Sequence, residues 1–189
     1  MRISVLSYDT ASIRRDPTRG GRGIARRGAA PSNPLESTLH GIYVLNGPNL
    51  NLLGIREPHL YGHTTLAEIE QRCQKVCSRL GLDLAFRQTN HEGQLVDWVH
   101  EARSHAIGIV INPAGYSFTS VALLDALKAS ELPIVEVHIT NIHRRESIYH
   151  KSLVSLAALG VICGVGPVGY DLALTALAEH VQSNPTATP

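Results

Sequence analysis

Strand-like and helix-like patterns alternate strictly along the sequence from residue 40 onward. Short apolar runs predict five strands, at residues 42–46, 83–88, 108–112, 134–138 and 160–164. Amphipathic patterns predict four helices, at about 65–80, 93–104, 119–130 and 168–182. This alternation is typical of a parallel sheet with helices on both faces, a three-layer α/β sandwich. With strand order 2-1-3-4-5, polar residues that follow several strands would converge at one edge of the sheet.

Local signals mark the ends of several of these elements. Thr65 and Glu68 have the spacing of a capping box, so the first helix is predicted to begin there. Gly81 is placed to end that helix, and Pro133 stands at the start of the fourth strand. These signals support the predicted alternation.

Length and composition indicate one globular domain with a substantial core. The chain has 189 residues, of which 43% are hydrophobic and 17% charged. Apolar runs stay short of the ~18 residues of a membrane span, and the start is too polar for a secretory signal, so we expect no membrane partner. Cys73 and Cys77 are one helical turn apart and are predicted to be buried against the sheet. With Cys163 they make an odd count without C-x-x-C spacing, which fits a cytoplasmic location.

The charge is distributed unevenly along the chain. Residues 1–39 hold seven arginines and three acidic residues, a net charge of +4, so the remainder carries −3 within a total of +1. The mildly acidic body argues against a nucleic-acid partner. The first 39 residues are rich in Gly, Ser and Pro, and we predict that they are disordered. They could be an idle extension, a segment included because the start was assigned too far upstream, or an organelle transit peptide. Residues 183–189 are predicted to be a disordered tail, which leaves 40–182 as the folded domain.

The first group of chemically capable residues follows the first strand. Asn49, Arg56 and Tyr61 lie on a connection too long for an ordinary strand-to-helix loop, which suggests a lid with a hinge at Gly54. A phenol is a poor base at its ordinary pKa of about 10, but a nearby guanidinium favours the phenolate. Arg56 could therefore activate Tyr61. The alternative is that Arg56 pairs with Glu57 and that Tyr61 packs on the surface.

The second group ends the fourth strand. Glu136 and His138 are two residues apart, so their side chains point to the same face of the sheet. A carboxylate beside an imidazole orients it and helps it to remain protonated, as an acid that protonates a leaving group requires. The alternatives are a structural histidine or a metal set with His143 and His150, whose spacings are weak for a metal. Asn112 ends the third strand and belongs to the same predicted edge.

Two cofactor chemistries find little support in the sequence. Lysine occurs only at Lys75, Lys128 and Lys151, so imine chemistry lacks a good candidate. The glycines at 164, 166 and 169 form G-x-G-x-x-G, but proline interrupts the motif and no acidic residue follows at the expected distance. We interpret them as packing at a helix entry and predict neither a cofactor nor a metal.

Several motifs together resemble the type II 3-dehydroquinate dehydratases. They are N-G-P-N-L-N-L-L-G-x-R-E-P-x-x-Y-G at 46–62, N-H-E-G at 90–93, I-N-P at 111–113, T-S-V-A-L at 119–123, E-V-H at 136–138, N-I-H-x-R-E at 141–146 and G-x-G-x-x-G-Y at 164–170. The resemblance covers about residues 42–181. It implies a flavodoxin-like fold, assembly through trimers into a dodecamer, and cofactor-free anti elimination of water from 3-dehydroquinate to give 3-dehydroshikimate.

The resemblance also implies roles for individual residues. Tyr61 would remove a C2 proton, with Arg56 stabilising its anion, and Asn49 would hold a water against the enolate. His138, oriented by Glu136, would protonate the departing C1 hydroxyl. The substrate would be bound by residues that match the family's binding positions, namely Asn112, Ile139, Thr140 and, from a neighbouring subunit, Asp125.

Several positions depart from the family pattern. The family normally has histidine at Phe118 and arginine at Tyr149, and both contact the hydroxyl side of the substrate ring. Leu124 replaces an arginine, Thr140 a serine, and Ala114-Gly115 reverses a glycine-alanine pair. Three functions stay open: a working dehydroquinate dehydratase, a paralogue that dehydrates a less hydroxylated cyclic hydroxyketo acid, and a binding homologue without turnover. The pathway, aromatic synthesis or quinate breakdown, is also open.

Overall fold

A single parallel sheet forms the centre of the domain. A computed structural model of the chain describes residues 41–184. The strands are β1 (Gly41–Asn46), β2 (Asp83–Gln88), β3 (Ala106–Asn112), β4 (Ile134–His138) and β5 (Gly160–Cys163). Their order, β2-β1-β3-β4-β5, and their parallel pairing confirm the predicted topology. The predicted extension at residues 1–39 and residues 185–189 of the predicted tail lie outside the described residues.

Five α-helices connect or follow the strands. They are α1 (Pro58–Tyr61), α2 (Leu66–Leu80), α3 (Glu92–His105), α4 (Val121–Ser130) and α5 (Val168–Ser183). The four long helices match the predicted ones within two residues at each end, whereas α1 was not predicted. Helix α5 ends at Ser183, the first residue of the predicted tail, where the Asn184 N–H bonds to the His180 and Val181 carbonyls. The extent of the tail stays a prediction. Of the helices in the described part, none combines the length and hydropathy that a membrane crossing requires.

The helices cover the two faces of the sheet in pairs. Along β1, Ile42 and Val44 point into a core that includes α2 and α5. Tyr43 and Leu45 point to the opposite side, into a core that includes α3 and α4. This alternation follows from the two-residue period of a strand, and it produces the predicted three-layer sandwich.

Helix α2 carries the predicted cap signals. The Thr65 side chain accepts a hydrogen bond from the Glu68 N–H, and the Glu68 carboxylate accepts one from the Thr65 N–H, which completes the capping box. Gly81 ends the helix with a left-handed φ of 70°. Cys73 and Cys77 are buried on its inner face, as predicted. Burial raises the pKa of these thiols to about 12 and about 11, so neither is a ready nucleophile.

The glycine motif after β5 serves packing. A Cβ atom on Gly164 would lie 2.7 Å from the Cβ of Asn141, in the loop after β4. At Gly169 it would lie 3.4 Å from the Val137 side chain. Gly164 thus lets the β5–α5 turn approach the loop after β4, which supports the packing interpretation at this position. At Gly166 a Cβ atom would meet open space, and the left-handed φ of 69° is what favours glycine there.

Candidate active site

A cleft of about 250 Å³ opens at the carboxyl ends of the central strands. This is where a ligand lies in open parallel sheets, beside the point at which the strand order reverses. Nine of the eleven predicted site residues line it: Asn49, Arg56, Tyr61, Asn112, Phe118, His138, Ile139, Thr140 and Tyr149. The fold therefore gathers in one place groups that the sequence distributes over a hundred positions.

The loop after β1 reaches the cleft through a close backbone approach. A Cβ atom on Gly47 would lie 2.3 Å from the Pro113 carbonyl oxygen, so only glycine fits. Asn49 then adopts a left-handed φ of 67°, and its N–H donates to the Asn90 side-chain oxygen at 2.9 Å. Leu53, buried in the core, anchors the loop beyond. Asn49 is thus held at the cleft by its backbone.

The arginine that contacts the Tyr61 oxygen is not the predicted one. Arg56 donates to the Glu57 carboxylate at 2.9 Å, and both side chains are more than two-fifths exposed. Arg56 meets Tyr61 only through the ring, with its guanidinium carbon 5.8 Å from the centroid. Arg145, in the loop after β4, donates to the Tyr61 hydroxyl at 3.2 Å. Arg56 thus pairs with Glu57, the alternative that the sequence left open, and the arginine on the phenol oxygen is Arg145. A role of Arg56 toward Tyr61 stays a prediction.

The connection from β1 to α2 contains an exposed segment between two left-handed glycines. Gly54 has a φ of 83° and faces the start of α2, where an added Cβ would lie 2.9 Å from the His63 carbonyl oxygen. Gly62 has a φ of 80° and faces open space. Arg56 and Tyr61 lie between these glycines. The lid function of this segment stays a prediction.

The buried carboxylate of Glu136 fixes the orientation of the His138 ring. Its Nε2 lies 2.7 Å from Oε1 of Glu136, which is fully buried. Ser152 and Ser155 donate hydroxyl hydrogen bonds of 2.6 Å each to the two oxygens of that carboxylate. Their S-x-x-S spacing after the fourth strand is the only sequence signal for these serines, which the sequence interpretation missed. Glu136 itself does not line the cleft, so it acts on the cleft through His138.

The environment of Glu136 favours its ionised form. Burial raises the pKa of the carboxyl, but the hydrogen bonds from His138, Ser152 and Ser155 outweigh it and hold the pKa below the ordinary 4.5. An ionised Glu136 accepts the Nε2 proton of His138, which leaves Nδ1 as the ring nitrogen available to a ligand. The pair thus fixes the orientation of the His138 ring at the cleft.

The lowered pKa of Glu136 predicts a specific loss of stability in acid. Because the folded state holds the ionised carboxylate more tightly than the unfolded chain does, this contribution is complete well above pH 4.5 and is lost as the pH falls through the lower folded value. We expect Glu136→Gln to lower the free energy of unfolding at pH 7 and to lower it much less at pH 3. Urea unfolding at both pH values measures this. An equal loss at the two pH values would contradict the ionised state.

Phe118 and Tyr149 form an aromatic wall on one side of the cleft. The Phe118 ring stacks on the His138 imidazole, with centroids 6.2 Å apart and planes at 24°. Tyr149 meets Phe118 edge-on at 5.3 Å and 80°. The guanidinium carbon of Arg145 lies 3.9 Å from the Tyr149 ring centroid. Two of the positions that depart from the family pattern therefore touch each other. Phe118 also contacts the predicted acid, His138, and Tyr149 also contacts Arg145, the arginine beside Tyr61.

A buried network sets the orientation of Asn112. Tyr170, fully buried on α5, donates its hydroxyl to the Asn46 side-chain oxygen at 2.7 Å and accepts from the Asn112 amide at 2.9 Å. The Asn112 side-chain oxygen accepts the Ala114 N–H at 3.3 Å. Burial raises the pKa of Tyr170 well above its usual range, so the hydroxyl stays neutral. The network presents Asn112 to the cleft in one orientation.

Two predicted site residues lie outside the cleft. One is Glu136, described above, and the other is Asp125, which is exposed on α4 and takes no part in this site within one chain. The alternative metal set is not assembled. His143 and His150 lie near each other, with ring centroids 6.1 Å apart. Among residues 41–184, no three side chains of metal-ligating type are grouped to hold an ion.

With this geometry established, comparison with known proteins identifies the family. Residues 40–178 match the model of the class II dehydroquinases. The chain belongs to the class II dehydroquinase family. It is similar to the 3-dehydroquinate dehydratase 2 of Pseudomonas aeruginosa, with 58% identity over 142 residues, which are 75% of this chain and 96% of that protein. The enzyme of the same name from Pseudomonas putida is 57% identical over 141 residues, 75% of this chain and 95% of that one.

Solved structures agree with the sequence comparison. The type II dehydroquinase from Propionibacterium acnes has a TM-score of 0.71 and 45% identity, covering 74% of this chain and 97% of its own. The type II dehydroquinase from Butyrivibrio crossotus has a TM-score of 0.71 and 38% identity, covering 72% and 96%. The resemblance stated from the motifs and the predicted fold are thereby confirmed.

The reversed Ala114-Gly115 pair of this class II dehydroquinase carries backbone strain. Ala114 has a left-handed φ of 51°, which an alanine adopts at a cost of about 1 kcal/mol. Gly115 has no such requirement, and a Cβ atom there would meet open space. The order of the two residues is thus opposite to what their backbone conformations favour.

Exchanging the two residues should stabilise the protein. We expect Ala114→Gly with Gly115→Ala to raise the free energy of unfolding by about 1–2 kcal/mol, since one change removes strain and the other restricts the unfolded chain. Urea unfolding measures it. As a control, Ala176→Gly, at an exposed position in the interior of α5, should lower stability by about 1 kcal/mol. A destabilised exchange variant would show that the backbone at 114 is not left-handed.

Proposed function

We propose that this chain is a hydro-lyase that removes water from 3-dehydroquinate, giving 3-dehydroshikimate by a cofactor-free anti elimination through an enolate. The observation that carries the proposal is one cleft that contains both a phenol paired with a guanidinium and an imidazole paired with a carboxylate. These are a base and an acid, the two groups that an elimination of water requires. The names of relatives with 57% and 58% identity support the substrate.

Tyr61 is the base in this proposal. It accepts the C2 proton of the substrate as the phenolate, and Arg145 donates to its oxygen at 3.2 Å. A cation at that distance favours the anion. Arg56 adds positive charge over the ring at 5.8 Å. The role that the resemblance implies for Arg56 is thus shared with Arg145 here.

His138 is the acid. Glu136 holds its Nε2, so the Nδ1 proton is given to the C1 hydroxyl as the C–O bond breaks and the enolate collapses to the enone. Asn49 holds a water against the enolate oxygen. Thr140, with the Ile139 backbone, binds the substrate carboxylate. These three line the cleft beside His138.

The direct test of this proposal is formation of the conjugated enone. Purified protein mixed with 3-dehydroquinate should generate its ultraviolet absorbance without added metal or cofactor, and the rate should be unchanged by a chelator. A protein that binds dehydroquinate but yields no enone would be a binding homologue, and the proposed turnover would be wrong.

A second candidate function follows from the aromatic wall. Phe118 and Tyr149 present an apolar edge and one hydroxyl where the resembled family has two polar or cationic donors. The loss of two hydrogen bonds, one of them charged, costs roughly 2–5 kcal/mol, or about 10²–10⁴ in affinity. This favours a related cyclic hydroxyketo acid with fewer ring hydroxyls.

Substrate competition separates the two candidates. We expect a substrate without the C4 and C5 hydroxyls to be used with the higher kcat/KM if the site is re-specialised. Phe118→His should then raise kcat/KM for dehydroquinate about tenfold. If dehydroquinate is preferred and the variant gains nothing, the site is an ordinary dehydroquinate site.

The remaining elements of the proposal concern organisation. We propose residues 40–182 as the catalytic domain and a dodecamer built from trimers, in which exposed Asp125 reaches a neighbouring cleft. Exposed apolar side chains near β5, including Val161 and Leu172, support such contacts. Light scattering tests the size of the assembly.

A cytoplasmic location is supported by the three free cysteines. A role in quinate breakdown stays open.

A further inference from the structure

We infer that Tyr149 is a positioning residue for the base, holding the Arg145 guanidinium against the Tyr61 oxygen by a cation–π contact. The inference rests on the proposed role of Tyr61. The guanidinium carbon of Arg145 lies 3.9 Å from the Tyr149 ring centroid, well inside the ~6 Å range of such contacts. The same guanidinium donates to the Tyr61 hydroxyl at 3.2 Å. One cation thus joins the two tyrosines.

Two side-chain partners hold the Arg145 guanidinium: the Tyr61 hydroxyl and the Tyr149 ring. Among the side chains of residues 41–184, no carboxylate lies within ion-pair distance of this guanidinium. Its backbone is held separately, because the His150 ring lies 2.8 Å from the Arg145 carbonyl oxygen. Without an aromatic face at position 149, a long side chain with a fixed backbone would be free to leave the Tyr61 oxygen.

Tyr149 itself is well placed to act as a fixed surface. It ends the 3-10 turn Ser147–Tyr149, and its N–H donates to the Glu146 carbonyl at 2.9 Å. Its ring rests edge-on against Phe118, which stacks on His138. A line of contacts therefore runs from the acid to the base along the aromatic wall. A cationic residue at 149 would repel Arg145 instead of attracting it.

Two matched variants isolate the aromatic face. Tyr149→Phe keeps the ring and Tyr149→Leu removes it, while both lose the hydroxyl. We expect the leucine variant to have a kcat about tenfold below that of the phenylalanine variant, with KM values within about threefold. In an Arg145→Met background the two should have equal kcat, because the ring then has no cation to hold. A leucine penalty that persists without Arg145 would overturn the inference.

A second readout needs no turnover. The phenolate absorbance of Tyr61 is the difference between each protein and its Tyr61→Phe counterpart, followed against pH. The charged or titratable groups around the phenol are Arg56 and Glu57 on its own loop, Arg145, and His138 across the cleft, and they are the same in both variants. We expect ionisation about one pH unit higher with leucine than with phenylalanine at 149.

The two readouts separate failure of this inference from failure of the proposed function. If the wild type forms no enone, the proposed function is refuted. The absorbance titration of Tyr61 would still test the contact between Tyr149 and Arg145. If leucine and phenylalanine at 149 give the same Tyr61 titration, Tyr149 does not position Arg145, whatever the activity. Circular dichroism of both variants should match the wild type, which excludes misfolding as the cause of a difference.

Discussion

Replacing Tyr61 by phenylalanine should lower kcat for dehydroquinate by about 10²- to 10⁴-fold, the usual contribution of a general base. Only the oxygen that accepts the C2 proton is removed, so substrate affinity should change less than about threefold. Enone absorbance measures kcat, and calorimetry measures the affinity. Tyr43→Phe is the matched control, because the Tyr43 hydroxyl bonds to Glu101 on the other side of the sheet. A Tyr61→Phe enzyme that retains a tenth of the rate would remove Tyr61 from the role of base.

Replacing His138 by asparagine should lower kcat by a similar factor, about 10²- to 10⁴-fold, because the departing hydroxyl loses its proton donor. Asparagine also breaks the 2.7 Å contact with Glu136 and leaves that buried carboxylate without one of its three partners. His143→Asn, at an exposed histidine that does not line the cleft, should leave kcat unchanged. Equal rates in the two variants would show that the acid is another group.

Isotope exchange distinguishes the removal of the C2 proton from the loss of the C1 hydroxyl. If the enolate forms before the hydroxyl leaves, His138→Asn should still exchange the C2 proton with deuterium from solvent, whereas Tyr61→Phe should not. Nuclear magnetic resonance of recovered dehydroquinate measures the exchange. Exchange by the Tyr61→Phe variant and none by the His138→Asn variant would reverse the assignment of base and acid.

The periodicity of the sequence determined the fold. Strand and helix patterns differ in their hydrophobic period, and strict alternation of the two leaves few arrangements other than a parallel sheet between helical layers. The position of the site followed, since the carboxyl ends of parallel strands meet at one edge. Nine predicted residues therefore line one cleft.

Partners within the site were less predictable, because contacts between loops depend on the path of each loop in space. Arg56 is close to Tyr61 in the sequence, yet Tyr61 lies at the end of the four-residue helix α1, and Arg56, which precedes that helix, pairs with Glu57. Arg145, 84 residues away, reaches the phenol oxygen instead. The S-x-x-S spacing of Ser152 and Ser155 does not by itself assign them to Glu136.

The sequence by itself determined the layers and the caps of α2, because these depend on local periodicity and cap signals. It determined the family, and with it the expected flavodoxin-like strand order, through specific motifs. Only the tertiary structure decided that Arg145 contacts Tyr61, that two serines hold Glu136, and that Phe118 and Tyr149 touch each other. Each of these contacts joins segments or turns whose mutual placement is set by long-range packing. Distance along the chain carries little information about such contacts, since a difference of a few ångströms in a loop changes the partner.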